Sequence, residues 1–350
     1  MKPSVSVIMA CRNEVRHIRA ILDSLASQDI AGLDCEFLIA DGMSTDGTRR
    51  AIEEYAAGQT NIRVLDNPGR IVSTGLNNAI RESRGDIVIR MDAHTEYAPD
   101  YVRTCVQVLE STGADNVGGP ARTKAEGLVQ QAVATAYHSP FSCGGARFHD
   151  TCFEGRVDTV TYGCWRRTAF ARFGLYDEQL VRNQDDEHNL RIVRAGGTIW
   201  QSPSIVSWYR PRSSVAALFR QYLQYGFWKV AVIRKHRVPA SIRHLIPGLF
   251  VAALAVSALT ALIGAAAGSS LAAWAGAAAL ALIASAYGVA ALLASLLCEK
   301  PYGRGVIVLL PVVFAVYHIS YGLGFLLGLL RSVLPQSGRG PGRFATEITR

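Results

Sequence analysis

Short apolar runs alternate with amphipathic stretches through the first third of the chain. Residues 5–9, 36–40, 62–65, 87–91 and 116–119 carry the branched or alternating apolar positions of strands. Between them, residues 15–27, 48–57, 73–83 and 99–112 repeat apolar positions at helical spacing. This alternation predicts an α/β fold, a mostly parallel sheet covered by helices. Such sheets bind ligands outside the C-terminal ends of their strands. Here those ends read Cys11-Arg12-Asn13-Glu14, Asp41-Gly42, Asp66-Asn67 and Asp92-Ala93-His94. Each offers a carboxylate or an amide to one rim.

Regularity falls in the second half. Cys143-Gly144-Gly145 and Glu154-Gly155-Arg156 mark loops, and residues 157–164 form a further strand candidate. Asn183-Gln184-Asp185-Asp186-Glu187 opens a helix that ends near Arg194-Ala195-Gly196-Gly197. Residues 215–232 interleave aromatic, apolar and basic positions. They suit a helix lying at a membrane interface and broken at Gly226, with an ordinary packing helix as the alternative. Three apolar stretches follow, at 245–263, 271–297 and 305–330, none with a Lys, Arg, Asp or Glu. Each meets the roughly 18–20 residues that cross a hydrocarbon core. The expected organisation is an α/β domain at 1–209, a basic amphipathic interfacial segment at 210–243, transmembrane helices at 244–330 and a polar tail at 331–350.

Charge sharpens this picture. The chain of 350 residues carries a net +8, and the segment from Arg210 to Arg243 holds eight basic residues and no acid. A basic block ahead of a first membrane span belongs on the cytoplasmic side, where anionic lipid attracts about 1 kcal/mol per charge. Membrane lipids are therefore the expected partner, and nucleic acid is not. Met1-Lys2-Pro3-Ser4 leads straight into a strand with no cleavage pattern, so the α/β domain is expected in the cytoplasm of a multi-pass inner-membrane protein. The seven cysteines are odd in number and lack a Cys-x-x-Cys pair, which suits a reducing compartment without a zinc site. Three spans would send the basic tail (Arg331, Arg339, Arg343, Arg350, with Glu347) outside, against the positive-inside tendency. Pro311 and Gly322-Leu323-Gly324 would let the third stretch bend and return instead.

Two sets of residues carry candidate chemistry. Asp92 and His94 lie two positions apart at a strand end, so both face one side. A carboxylate and an imidazole aimed at one point suit a divalent cation, which in turn can hold a diphosphate. The plainer alternative is an acidic strand end meeting water. The acids at 185–187 suit the positive end of a helix dipole. Three adjacent carboxylates also repel each other, which favours a proton acceptor.

These residues resemble the family 2 glycosyltransferases, which have the GT-A fold. Ser6-Val7-Ile8-Met9-Ala10-Cys11-Arg12-Asn13-Glu14 is similar to the family's first strand and nucleotide loop. Leu38-Ile39-Ala40-Asp41-Gly42-Met43-Ser44-Thr45-Asp46-Gly47-Thr48 resembles its second, more specific block, and Arg90-Met91-Asp92-Ala93-His94 stands where the family carries Asp-x-Asp. Asn183 to Glu187 resembles the acceptor-side Glu-Asp motif, with Gln184 in place of the usual Glu. Gln221-Tyr222-Leu223-Gln224-Tyr225-Gly226-Phe227-Trp228-Lys229 and His318-Ile319-Ser320-Tyr321-Gly322 are most like the succinoglycan-biosynthesis ExoA-type membrane glucosyltransferases. The Gln-x-x-Arg-Trp signature of processive synthases is missing.

The resemblance implies a GT-A domain that uses a nucleotide sugar and a divalent cation, Mn²⁺ or Mg²⁺, held by Asp92 and His94. It implies that Asp41 meets the uracil, that Asn13, Glu14, Arg70 and Asp92 bind the nucleotide sugar, and that Asp185 is the base. Gln184, Glu187 and Trp165 become acceptor-side candidates. One base and one metal-held leaving group imply inversion. The expected reaction moves a single hexose, from UDP-glucose or a close relative, to a polyprenyl-linked saccharide in exopolysaccharide or cell-surface glycan synthesis. Direct transfer to polyprenyl phosphate is the near alternative. A sugar nucleotidyltransferase is the alternative of another class, disfavoured because residues 8–16 hold no glycine for a phosphate loop. A non-enzymatic scaffold would have no use for the acids at the ligand-facing turns.

Overall fold

The computed structural model describes residues 2–298 and 302–333. Of the polar tail expected at 331–350, the part from residue 334 onward, with Arg339, Arg343, Glu347 and Arg350, lies outside the described residues. The chain begins with β1 (Ser4–Cys11), α1 (Ile18–Ala26), β2 (Asp34–Asp41), α2 (Thr48–Ala56), β3 (Ile62–Asp66) and α3 (Val72–Glu82). It continues through β4 (Ile87–Arg90), β5 (Thr95–Tyr97), α4 (Tyr101–Thr112), β6 (Asn116–Gly119) and β7 (Arg122–Thr123). Then come α5 (Leu128–His138), α6 (Pro140–Cys143), β8 (Gly155–Arg156), β9 (Thr161–Arg166), α7 (Arg167–Phe173) and α8 (Gln184–Arg194). The last elements are β10 (Ile199–Gln201), β11 (Ser207–Tyr209), α9 (Val215–His236), α10 (Ile246–Ala266), α11 (Ser270–Leu297) and α12 (Leu310–Val333).

These elements form two units. Residues up to Lys124 join Arg147–Arg210 in the first, and Ala125–Ala146 join the chain from Pro211 onward in the second. Within the stretch expected as the α/β domain, 1–209, residues 125–146 thus group with the second unit. The apolar face of α5 explains the excursion: Ala132, Val133 and Ala136 pack with Leu218, Val313, Phe314 and Tyr317, and the Tyr317 hydroxyl donates to the Val133 carbonyl at 3.3 Å.

The first unit is built on an eight-stranded sheet of order β3-β2-β1-β4-β9-β6-β10-β8. β3, β2, β1 and β4 are parallel neighbours, as are β6 and β10, whereas β9 is antiparallel to both β4 and β6 and β8 to β10. Strand periodicity sorts the core. Val5, Val7, Met9, Ile87, Ile89 and Met91 face one cluster, while Ile8, Leu38 and Val88 face the other with Trp165, Phe170, Tyr176 and Ile192. Arg90, in register with Ile8, occupies the next position after Val88 on this second face. The expected strand at 157–164 is shifted to β9, with Tyr162 and Gly163 at positive φ and a register break opposite Val117 and Gly119. A small sheet, β5-β11-β7, lies just beyond His94. Its Glu96 binds both Lys124 (2.6 Å) and Arg210 (2.6 Å), the residues at which the chain leaves this unit.

In the second unit, three helical segments, Ile242–Ala266, Ser270–Leu297 and Leu310–Val333, are long and apolar enough to cross a membrane. The expected break at Gly226 is absent: α9 is continuous over 22 residues. Gly226 instead lets two helices touch, because a Cβ there would overlap the Tyr321 carbonyl oxygen of α12. Gly324 does the same against Leu223, and Gly322 against Pro247. Nor does the third stretch turn back: α12 runs without interruption from Leu310 to Val333. Pro311 sits in the first turn of α12, where its missing N–H costs nothing, and the glycines serve contact. The basic segment is likewise not uniform. Lys229 is buried in α9, while Arg220, Arg234, Lys235 and Arg237 are exposed.

Candidate active site

The rim expected at the strand ends exists in the first unit, and hydrogen bonds sew its first two turns together. The Asn13 amide donates to the Ser44 hydroxyl (2.9 Å), the Thr45 amide to the Asn13 side-chain oxygen (2.9 Å), and the Glu14 amide to the Thr48 hydroxyl (2.7 Å). Asp46 accepts from the Val15 amide (3.1 Å) and from the amide and hydroxyl of Thr48 (3.0 and 2.6 Å). Burial works to raise its carboxyl, but these bonds outweigh it and hold Asp46 below the usual range. α1 begins at Ile18, after a turn in which the Glu14 carbonyl accepts from the His17 and Ile18 amides (2.8 Å each).

Asp41 ends β2 and is 1% exposed. Its Oδ2 accepts from the Ser44 amide at 3.1 Å, whereas its Oδ1 is buried and has no hydrogen-bond partner among the described residues. A buried carboxylate oxygen without a partner is rare, and it can accept a hydrogen bond from a ligand. Arg70 stands exposed at φ +60, on a turn closed by its own amide to the Asn67 carbonyl (3.0 Å). The turn is anchored by the Asn67 amide on the Asp41 carbonyl (2.9 Å).

At the end of β4, Arg90 donates through Nε and Nη2 to the two oxygens of Asp92, at 2.9 and 3.0 Å. The remaining nitrogen, Nη1, is buried without a hydrogen bond among the described residues and lies 3.9 Å from Oδ2 of Asp185, on α8. Burial works against the charge of Arg90, but Asp92, Tyr176 and Asp185 outweigh it and keep the guanidinium protonated. The Asp92 amide donates to the Tyr97 hydroxyl at 2.6 Å, and Tyr97 packs on Tyr101 and Tyr162. Burial, first of all, and then nearby groups that include the Asp92 carboxylate push the Tyr97 and Tyr162 hydroxyls up, so both stay neutral.

His94 is about half-exposed, with Nδ1 3.6 Å from Oε1 of Glu14. Among the described residues no three His, Cys, Asp or Glu side chains gather as a complete metal site. Mg²⁺-type cations are commonly held by one or two carboxylates plus the phosphates of a substrate. A partial set of that kind would draw on Asp92, whose oxygens meet Arg90, and on His94, which lies beside Glu14. Each Asp92 oxygen keeps a lone pair beyond its Arg90 bond, but the guanidinium offsets its charge, so a cation would draw on the diphosphate as well.

Helical geometry separates the three acids of α8, since successive residues point about 100° apart. Asp185 is about half-exposed and faces Arg90. Glu187 is fully buried and accepts from Nε and Nη2 of Arg191 at 3.1 and 2.9 Å. Crowding of three carboxylates in one site, expected from their adjacency, does not occur. Gln184 and Trp165 are buried too, and Trp165 packs on Phe170, Tyr176 and His188. Glu187 and Trp165 thus shape the wall of the site from inside and offer no surface to an acceptor.

Sequence reasoning passes over Arg90, Tyr176 and His188. A charged residue inside the run Ile87-Val88-Ile89-Arg90-Met91 is the signal that points to the first. His188 stacks with Phe170 and Tyr176, and its Nε2 lies 3.1 Å from the Gly174 carbonyl. Burial, and then Arg191, lowers its pKa to about 4. Loop 174–183 is pinned over Arg90 by α3: Asn77 exchanges hydrogen bonds with the Tyr176 backbone (2.9 Å each way), and Ser73 donates to the Leu180 carbonyl (2.9 Å).

The sequence model of glycosyl transferase family 2 matches residues 6–173, which hold β1 to β4 and the rim just described. The succinoglycan biosynthesis protein ExoA of Rhizobium meliloti is 34% identical over 259 residues, 73% of this chain and 78% of that protein. The chain belongs to glycosyl transferase family 2. Another family relative, from Methanococcus voltae, is named as a dolichyl N-acetyl-α-D-glucosaminyl phosphate 3-β-D-2,3-diacetamido-2,3-dideoxy-β-D-glucuronosyltransferase. It is 29% identical over 66% of this chain and 74% of its own length. The mannosyltransferase PcManGT of Pyrobaculum calidifontis, solved with GDP-Man and Mn²⁺, superposes with a TM-score of 0.59 at 20% identity. That likeness covers 93% of this chain and 88% of the other, so the GT-A fold is shared. The chain is a glycosyltransferase with three C-terminal helices able to span a membrane.

Proposed function

We propose that this glycosyltransferase moves a single hexose, with inversion, from a UDP-sugar to a lipid-linked saccharide at the cytoplasmic face of a membrane. One observation carries the reading: the carboxylates of Asp92 and Asp185 flank a single buried guanidinium, Arg90. A donor-side acid and an acceptor-side acid thus share one site, as a single displacement requires.

Asp41 Oδ1 is the acceptor for an N–H of the base, and the turns at Asn13, Glu14 and Arg70 surround the sugar-phosphate end. Asp92 and His94, with Glu14 beside them, would hold a divalent cation, Mn²⁺ or Mg²⁺, together with the diphosphate. Bound there, the cation supplies Lewis-acid neutralisation of the departing charge. Asp185, open to solvent on one side, takes the proton of the attacking hydroxyl. With Asp92 committed to the donor side and Asp185 acting as base, attack comes from the face opposite the leaving group. The PcManGT complex with a nucleotide sugar and Mn²⁺ supports the donor and cation, though on another sugar. The Methanococcus relative, named for a dolichyl-linked acceptor, and ExoA, named for succinoglycan synthesis, support a lipid-linked glycan acceptor. So do the exposed Arg234, Lys235 and Arg237 that close α9 just ahead of the first apolar segment.

Chelation tests the donor side. Transfer stops in excess EDTA and returns with Mn²⁺ or Mg²⁺, and D92A loses both UDP binding and turnover. Full activity in chelator contradicts the assignment of Asp92 and His94 to a cation.

A further inference from the structure

Arg90 is 5% exposed, sits in a central strand and spends only one edge of its guanidinium. Nε and Nη2 grip Asp92 as a fork, a geometry that only arginine offers. Nη1 carries two N–H donors, is buried, and makes no hydrogen bond among the described residues. Buried donors are nearly always satisfied, so one left open at a reaction centre calls for a partner that arrives or moves. The nearest carboxylate oxygen that faces it is Oδ2 of Asp185 at 3.9 Å, about 1 Å beyond an ordinary charge-assisted hydrogen bond. Asp185 is placed to make that move. Its Oδ1 accepts from the Asp186 amide at 2.9 Å, and a small rotation of the whole carboxylate brings Oδ2 from 3.9 Å into hydrogen-bond range of Nη1.

The surroundings of Arg90 are rigid. Tyr176 lies against the guanidinium on a loop tied to α3, and α8 is tied to the sheet through Asn189, which links Asn116 (2.9 Å) and Thr159 (2.8 Å). The guanidinium therefore does not follow either carboxylate. It sets the distance between them.

We propose that Arg90 is a positioning residue for the transfer: its forked edge fixes Asp92 on the donor side, and its open Nη1 receives Asp185 when the acceptor is in place. The proposal rests on Asp185 being the base. It predicts that the two carboxylates work as a coupled pair through Arg90.

A double-mutant cycle tests the coupling, with R90Q, R90K, D185N and the paired variants purified at full length. R90Q should lower kcat about 10²-fold, and R90K, which keeps the charge but not the fork, about 10-fold. Placed on D185N, each change should cost several-fold less than it does on the native enzyme, because the partner of Nη1 is already gone and only the hold on Asp92 is left to lose. Circular dichroism and the melting temperature report whether each variant is folded, with UDP binding measured beside them; if R90Q does not fold, R90K carries the cycle. Losses that multiply on the D185N background overturn the proposal while leaving the base assignment intact. Near-normal turnover in D185N itself overturns both.

Discussion

Replacement of Asp41 by Asn separates binding from stability in a way few other changes would. In the free protein Asp41 is buried with one oxygen unpaired and the other held by the Ser44 amide at 3.1 Å. An unsatisfied buried polar atom costs about 1–3 kcal/mol, more when it is charged. Asn has the same shape, and the Ser44 N–H obliges it to turn its carbonyl oxygen toward that amide. The NH₂ group then occupies the orphan position and faces an incoming base N–H, donor against donor. A hydrogen bond to a charged group contributes about 1.5–3 kcal/mol, so its loss weakens nucleotide binding roughly 10- to 100-fold. The buried charge disappears at the same time, so the unliganded protein melts at the same temperature or higher. Calorimetric titration with UDP and thermal melts with and without it measure both effects. UDP binding within about 3-fold of the native protein, or a clear loss of melting temperature without ligand, would refute the reasoning.

Other residues give separate outcomes. D185N keeps the shape of the base but accepts no proton, so turnover should fall about 10²–10⁴-fold while UDP still binds; normal turnover reduces the acids to a helix start. His188 is buried neutral with its pKa lowered to about 4, so the unfolded chain takes up a proton first as pH falls below about 6.5. Stability is full above that pH and declines toward pH 4, by about 2 kcal/mol at pH 5. H188Q should lose this share of the acid dependence, and identical melting profiles across pH 7 to 5 would contradict it. Charge reversal at Arg234, Lys235 and Arg237 together should weaken transfer to a lipid acceptor more than it weakens UDP binding; equal effects on both contradict a lipid-facing role.

The parts of this molecule written in local pattern are legible in the amino-acid sequence. Continuous apolar runs mark β1 and β4 as buried strands of a parallel sheet, because burial on both faces leaves such a signature. Motifs at the strand ends locate Asp41, Asp92 and His94 on one rim for the same reason. What stays hidden depends on residues far apart in the chain. The antiparallel entry of β9 between β4 and β6 leaves no local trace. Nor does the adjacency of Asp185, Asp186 and Glu187 show that Arg191 turns Glu187 inward. Gly226 reads as a helix breaker because its contact with Tyr321 lies almost a hundred residues on. Arg90 is in view as part of a motif, but its meaning requires Asp185 beside it.

The central claim is the transfer of one hexose to a lipid-linked acceptor, and product extraction tests it most directly. Membranes containing the protein are incubated with radiolabelled UDP-sugars and Mn²⁺, then partitioned into organic solvent and resolved by saccharide length. The account predicts label in a lipid-linked product lengthened by one hexose, present with one UDP-sugar and absent with D185N. Label that appears in water-soluble saccharides, or in long polymers from a single encounter, would contradict it.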